Sequence, residues 1–196
     1  MFLFFAVIAG ALAIAVLIGG DVRRLSHVRI RHVELLLAAF AAKVSVALLG
    51  TSQSAVAVSA ARPLNVIGAG LLLGVVWFNR RIPGALIFGA GLLSNLLVIS
   101  AFGGRMPVLL PTGFESSSPA LPVLRSGLDP LHVLLQHPQG IWFLGDIWAI
   151  PSLFGHTSLV SLGDLLMAAG IAYLIIRWSH RPAPAAPPLI EPSPAK

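Results

Sequence analysis

The chain contains no cysteine and few charged residues, and each shortage excludes a class of chemistry. Without cysteine there are no disulfides, no thiolate metal sites and no thiol nucleophile. Charged residues make up 10% and hydrophobic residues 57% of the 196 residues, whereas soluble domains carry roughly 25% charged residues. A water-soluble core does not accommodate so much apolar surface, so the composition predicts an integral membrane protein.

Five apolar segments are each near the length of about 20 residues that a transmembrane helix needs. They lie at about residues 2–20, 33–50, 64–78, 85–102 and 158–176. Because no basic residue precedes the first, we interpret it as a permanent helix rather than a cleaved signal peptide. We therefore predict an all-α bundle of about five transmembrane helices in a single membrane domain, residues 1–181.

The third and fourth segments also predict where a helix starts and where helices pack closely. Pro63 is expected in the first turn of the third helix, where its missing N–H costs nothing. Residues 55–61 either extend that helix or lie at the membrane interface. Small residues at helical spacing in residues 67–74 and 84–91 favour close contacts between helices.

The basic residues predict the orientation, because Lys and Arg near span ends stay preferentially in the cytoplasm. With the N-terminus outside, the inner segments hold Arg23, Arg24, Arg29, Arg31, Arg80, Arg81, Arg177 and Arg181, and the outer segments hold only Arg62, Arg105 and Arg125. The net charge of +6 thus lies beside apolar segments rather than on one face, and we expect no binding to nucleic acid.

The long connection at residues 103–157 is expected on the outer side. Residues 107–122 are rich in proline and serine and predict irregular chain, whereas Asp129–Gln136 is typical of a short N-capped helix. Residues 140–151 are apolar but too short to span, so they are expected to lie at the interface or to re-enter the membrane. The proline-rich residues 182–196 predict a disordered cytoplasmic tail.

Three polar side chains inside spans fall at similar depth, roughly 10 Å from the outer interface at 1.5 Å per residue. They are Lys43, Asn95 and Asp164. We expect a buried polar cluster in which Asp164 neutralises Lys43 and the Asn95 amide bonds one of them. The alternative is that Ser161 and Asp164 form a capping box, which places the start of the last helix at Ser161.

Recognised catalytic and metal motifs are lacking. No histidine lies inside a span, so we expect no cofactor in the membrane. His132, His137 and His156 lie in the outer loop. A metal site formed by them with Asp129 or Asp146 is one alternative, but their spacing matches no ligand motif, and we expect no metal. Asp146 and Asp164 both follow Leu-Gly, which suits either a hydrolytic carboxylate pair or an ordinary turn.

Residues 91–108 together with Phe143–Asp146 and Ser161–Asp164 resemble an uncharacterised bacterial membrane family, domain of unknown function 5317. The block Gly103-Gly104-Arg105-Met106-Pro107 is the most specific part of the resemblance. In that family's pattern an asparagine precedes the paired glycines, where this chain has Phe102. The resemblance implies a bacterial membrane location and one outer-face group, residues 103–107 with Asp146, Ser161 and Asp164. The residues themselves, without the resemblance, leave two interpretations open. Gly103 and Gly104 either end the fourth helix or hold an anion together with Arg105.

The sequence leaves the activity open and favours a protein that is not an enzyme. We expect an accessory or assembly subunit of the bacterial plasma membrane, in contact with the lipid bilayer and with other membrane subunits or further copies of itself. The alternative is an envelope enzyme or small-solute transporter that uses Lys43, Arg105, Asp146 and Asp164 at the outer face.

Overall fold

The computed structural model describes residues 2–52, 54–111, 120–151 and 157–181. The helices are α1 (Phe2–Leu17), α2 (Val33–Thr51), α3 (Ala55–Phe78), α4 (Ala85–Ala101), α5 (Ala120–Arg125) and α6 (Leu162–Ser179). The strands are β1 (Met106–Leu109), β2 (His132–Leu135), β3 (Trp148–Pro151) and β4 (Thr157–Val160), and 3₁₀ turns lie at Val22–His27 and Trp142–Leu144. The tail predicted at 182–196 lies outside the described residues.

The fold is mostly helical, and three helices are long and apolar enough to cross a membrane. These are α2, α3 and α6, whereas α1 and α4 are apolar but shorter, at 16 and 17 residues. Four small strands accompany the helices in the described residues, so the fold is mostly helical, as expected, but not all-α.

The third helix begins earlier than its most apolar part. Ser54 caps it by accepting a hydrogen bond from the Ala57 N–H at 3.2 Å, and the helix runs unbroken for 24 residues. Pro63 therefore lies inside α3 rather than in its first turn, contrary to the prediction. Of the two alternatives for residues 55–61, the structure has the helical one.

The sixth helix begins later than predicted, at Leu162 rather than at residue 158. Ser161 and Asp164 form the capping box that was the alternative interpretation, and residues 158–160 belong to β4. Because the capping box satisfies two of the free N–H groups at a helix start, it fixes the boundary here.

Glycines let α4 and α6 approach closely along their whole length. Towards one end Gly91 lies against Gly163, where an added Cβ on either would overlap the other's backbone oxygen. Towards the other end Gly84 lies against Gly170 in the same way. The small residues of α4 thus serve the close helix contact that their spacing predicted.

The five long helices form one open row in which the order of neighbours is α2, α3, α4, α6, α1. The end helices, α1 and α2, each pack mainly on one long helix. Large side chains therefore remain exposed along α2, where Leu37, Phe40 and Leu48 are 63–66% exposed. A single row buries less of each helix than a closed bundle would.

One end of the row is fastened by its basic loops, and we call it the basic end: residues 18–32, 79–84 and 179–181. The Arg31 N–H donates to Asn79 Oδ1 at 2.8 Å, and Asn79 Nδ2 donates to the Arg31 carbonyl at 2.9 Å. The Asp21 N–H donates to the Ser179 carbonyl at 3.0 Å. These bonds join the loops that follow α1, α3 and α6.

The opposite end lies beneath the long connection, and we call the described residues 106–111, 120–151 and 157–160 the cover. Strand β1 pairs with β2 in parallel, and β3 pairs with β4 in antiparallel orientation. Met106, Val98 and Ile99 form a buried cluster that fixes the cover to α4.

Two predictions for the cover need correction. The segment predicted to be irregular, 107–122, contains most of β1 and the start of α5. The predicted helix after Asp129 is strand β2. Residues 140–151 hold a 3₁₀ turn and β3, and their location at the interface or within the membrane stays a prediction. Asp129 does cap the backbone locally, since its carboxylate accepts from the N–H groups of Leu131 and His132 at 2.8 and 2.7 Å. Pairing with β1 then extends the chain beyond that turn.

Candidate polar site at the covered end

Asn95 and Asp164 meet at the contact between α4 and α6. Asn95 Nδ2 donates to Asp164 Oδ1 at 2.9 Å, and Ser161 Oγ donates to Asn95 Oδ1, also at 2.9 Å. The capping bonds of Ser161 and Asp164 complete the group. Gly163 leaves the room for the Asn95 amide, because an added Cβ there would overlap its oxygen.

Lys43 belongs to a second group, and the expected ion pair with Asp164 is wrong. Its ammonium donates to Asn65 Oδ1 at 2.6 Å, and Asn65 Nδ2 donates to the Gly104 carbonyl at 2.9 Å. No ion pair within the described residues joins Lys43 to Asp164. The physical reason is that Asp164 lies in the first turn of α6, where the cap and the helix dipole already stabilise its charge.

Gly103 and Gly104 end α4, and the alternative anion site on their N–H groups is excluded. The Gly103 N–H donates to the Ser100 carbonyl at 3.3 Å and the Gly104 N–H to the Ile99 carbonyl at 2.8 Å. Both residues have positive φ, 65° and 90°, which glycine adopts at little cost. With both N–H groups occupied, only the side chain of Arg105 is free to meet an anion.

Two carboxylates and an imidazole meet across β1. Asp146 is bridged to β1 because its N–H donates to the Pro107 carbonyl at 2.9 Å and its carbonyl accepts from the Leu109 N–H at 3.3 Å. His132, at the start of β2, lies opposite Met106. His132 Nδ1 lies 3.1 Å from Asp129 Oδ1, and His132 Nε2 lies 3.8 Å from Asp146 Oδ2.

The environment of this group shifts its proton equilibria. Burial, with the nearby charge of Asp164, raises the pKa of Asp146 to about 7, although His132 opposes the shift. Burial alone would lower the pKa of His132, but the hydrogen bond and charge of Asp129 outweigh it and raise the pKa. Burial alone would raise the pKa of Asp129, but the hydrogen bond and charge of His132 outweigh it and lower the pKa. The Asp146 carboxyl therefore exchanges its proton near neutral pH.

Metal binding finds no support in these residues. Within the described parts of the chain, no group of three or more His, Asp or Glu side chains is arranged to hold a metal ion. His156 lies outside the described residues. His137 is not among the side chains that contact Asp129 or Asp146.

Several buried polar atoms at this end have no hydrogen-bond partner. They are Ser94 Oγ, Arg62 Nε, Arg105 Nε and Asp146 Oδ1. In native proteins such atoms are few, and each calls for an explanation such as an unseen ligand or water. Among the described residues, the buried side-chain atoms without a hydrogen-bond partner thus concentrate towards the covered end.

Sequence reasoning missed two members of the site. Asn65 is a polar residue only two positions into the most apolar part of α3, which is a signal that places it inside a span. Arg62 was counted only as an outer charge, although it lies on the same helix three residues earlier. Both contact Gly104, a position that the family resemblance had singled out.

The fold and this site define a helical protein with membrane-compatible helices and a polar layer beneath a small stranded cover. The chain belongs to a family of unknown function, DUF5317, whose family model matches residues 27–176, which confirms the resemblance. An uncharacterised protein of Thermotoga maritima is 31% identical over 101 residues, which cover 52% of this chain and 55% of that protein. The match thus spans about half the length of that relative. No solved structure matches the chain.

Proposed function

We propose that this chain is a multi-pass protein of the bacterial plasma membrane that serves as a non-enzymatic assembly subunit. In this proposal all five long helices cross the membrane. The shorter two suit a slightly thin or locally thinned bilayer, because α1 and α4, at 1.5 Å per residue, reach about 24–26 Å. The basic end lies in the cytoplasm and the covered end lies outside.

The arrangement of the basic end supports this orientation. Hydrogen bonds join the loops after α1, α3 and α6 at one end. Arg80 and Arg181 lie over the rings of Trp77 and Trp178, at 4.7 and 3.9 Å from the ring centroids. Arginine and tryptophan together are typical of the cytoplasmic membrane interface.

The open row of helices is the observation that carries the assembly role. A row whose end helices each pack mainly on one neighbour leaves two broad apolar faces, and α2 presents Leu37, Phe40 and Leu48 outward. Lipid alone is able to cover these apolar faces. Partner helices in a larger membrane complex cover them too, and they also hold the row of helices in one arrangement.

Purification in a mild detergent tests the role. Because the chain lacks cysteine, single cysteines at Leu37 or Leu48 also allow specific cross-linking within the native membrane. We expect a stoichiometric membrane partner to co-purify and to cross-link through α2, with Ser126→Cys on the cover as the control. A monomer that cross-links to nothing at either α2 position would contradict the proposal.

A second candidate function, an envelope enzyme, is favoured by the group of Asp129, His132 and Asp146. A carboxyl that titrates near neutral pH beside an imidazole is the arrangement that general acid–base chemistry uses. This candidate predicts a self-contained protein in the same purification. Transport is less supported, because near the basic end Asn79 and Ser179 both bond to backbone groups and open no polar path between the described helices.

A further inference from the structure

Three cationic side chains converge around Gly104 at the covered end. Lys43 reaches Gly104 through Asn65. Gly104 lies directly against Arg62, since an added Cβ would lie 2.7 Å from both the Cβ and the carbonyl oxygen of Arg62. Arg105 is the next residue in the chain. The close approach thus places the two arginines on neighbouring segments.

No carboxylate forms an ion pair with these cations within the described residues. Arg62 Nε and Arg105 Nε are both buried without a hydrogen-bond partner, and Arg105 Nη1 donates only to the Gly127 carbonyl, at 3.0 Å. Burial and then the charge of Arg62 lower the pKa of Arg105, and Asp129 only partly offsets them. Within the described residues, the positive charge of the two guanidinium groups is therefore offset only in part, by Asp129.

We propose that Arg62 and Arg105 bind a phosphate group, either that of an anionic lipid headgroup or that of a soluble phosphate compound. A guanidinium presents N–H donors in a planar fork that matches the oxygens of phosphate. A tetrahedral phosphate has oxygens on several sides and accepts from two such forks at once. Lys43 adds positive charge behind the pair.

The depth of the pair relates the site to the membrane. Arg62 directly precedes the most apolar part of α3, and Arg105 follows the end of α4 by four residues. Each therefore lies beside the end of a strongly apolar stretch, near the level that lipid headgroups occupy. The proposal stands independently of the assembly role.

Binding measurements on the delipidated full-length protein in detergent test the site. One arm adds inorganic phosphate, and the other adds phosphatidylglycerol, with diacylglycerol of the same acyl chains as the phosphate-free reference. The readouts are thermal shift and lipid retention in native mass spectrometry. Binding of phosphatidylglycerol alone assigns a lipid headgroup, and binding of inorganic phosphate that competes with the lipid assigns a soluble phosphate.

Variants decide whether the two arginines carry the binding. Arg62→Gln and Arg105→Gln should each weaken it about tenfold or more, since hydrogen bonds to charged groups contribute about 1.5–3 kcal/mol. Arg62→Lys and Arg105→Lys keep the positive charge and serve as controls for misfolding. They should weaken phosphate binding less than the glutamine variants do. Arg125→Gln, an exposed charge on the cover, is the matched control and should bind as the wild type does.

Two results would overturn the proposal. One is that neither phosphatidylglycerol nor phosphate binds better than diacylglycerol. The other is that Arg125→Gln weakens binding as much as Arg62→Gln and Arg105→Gln do, because the binding would then follow the overall positive charge rather than these two arginines.

Discussion

The two ends of the helix row are fastened by different kinds of bonds. At the basic end the amide of Asn79 bonds to the backbone of Arg31 and of Val75. At the covered end side chains bond to one another, as in Asn95 with Asp164 and Lys43 with Asn65. Bonds to the backbone depend little on protonation, whereas the covered end also holds Asp129, His132 and Asp146. The difference indicates that one end is a structural clamp and the other is chemically responsive.

The glycine contact of α4 with α6 should matter equally at both ends, and it is expected to give the largest effect. Gly163→Ala at the covered end and Gly170→Ala at the basic end each place a Cβ against backbone atoms of α4. Because helix backbones cannot yield easily, each should cost about 3 kcal/mol and reduce the monodisperse fraction in size-exclusion chromatography.

Gly70→Ala is the matched control, since nothing lies within 4 Å of its added Cβ, and it should behave as the wild type. If Gly170→Ala alone were tolerated, the two ends would not share a rigid helix contact.

The dependence of stability on pH should arise mainly at the covered end. The folded-state pKa of Asp146, about 7, lies above the unfolded value, so folding is favoured when this carboxyl is protonated. Stability should therefore fall between pH 5 and pH 8, by up to about 3 kcal/mol for this group. The raised pKa of His132 acts in the same direction, since its contribution is lost as pH rises.

Asp146→Asn should raise the melting temperature at pH 8 and flatten its dependence on pH, which thermal unfolding in detergent measures. The lowered pKa of Asp129 acts only in more acidic solution, where protonation removes its contribution. A pH profile unchanged by Asp146→Asn would mean that the covered end is no more responsive than the basic end.

Two of the buried asparagines, Asn79 and Asn95, compare the ends directly. Asn95→Ala leaves Asp164 and Ser161 without their amide partner, and Asn79→Ala releases the Arg31 backbone. Each should lower stability by about 1–3 kcal/mol. Thermal unfolding in detergent measures both losses. A variant as stable as the wild type would mean that its asparagine does not fasten that end.

The smallest expected effect concerns the two groups within the covered end. Lys43 and Asp164 do not form an ion pair, so a double-mutant cycle of Lys43→Met and Asp164→Asn should show coupling below about 0.5 kcal/mol. Thermal unfolding of the two single variants and the double variant measures it. A coupling of more than about 1 kcal/mol would restore the single cluster that the sequence predicted.

Hydropathy and spacing predict the helices well and the side-chain neighbours only in part. Asn95 and Asp164 were expected at equal depth, and they meet because α4 and α6 are neighbours. Lys43 lies at similar depth but on α2, which packs on α3. Depth along a helix follows from the sequence, whereas the order of helices in the row depends on contacts between distant segments.

The strands of the cover show the same limit. β1 and β2 are four residues each and lie more than twenty residues apart, so neither has a periodic pattern long enough to predict a strand. Asp129 followed by proline is typical of a helix start, and its local bonds do form, but pairing with β1 determines the conformation that follows. Tertiary contacts outweigh local preference here.

Accessibility of the two ends in intact cells tests the central claim, that the covered end faces outward and the basic end faces the cytoplasm. Ser126 on the cover and Ser26 in the basic end are both exposed, and single cysteines there are the only thiols in the chain. We expect a membrane-impermeant maleimide to label Ser126→Cys in intact cells and Ser26→Cys only after permeabilisation. Labelling of Ser26→Cys in intact cells, with Ser126→Cys protected, would contradict the claim.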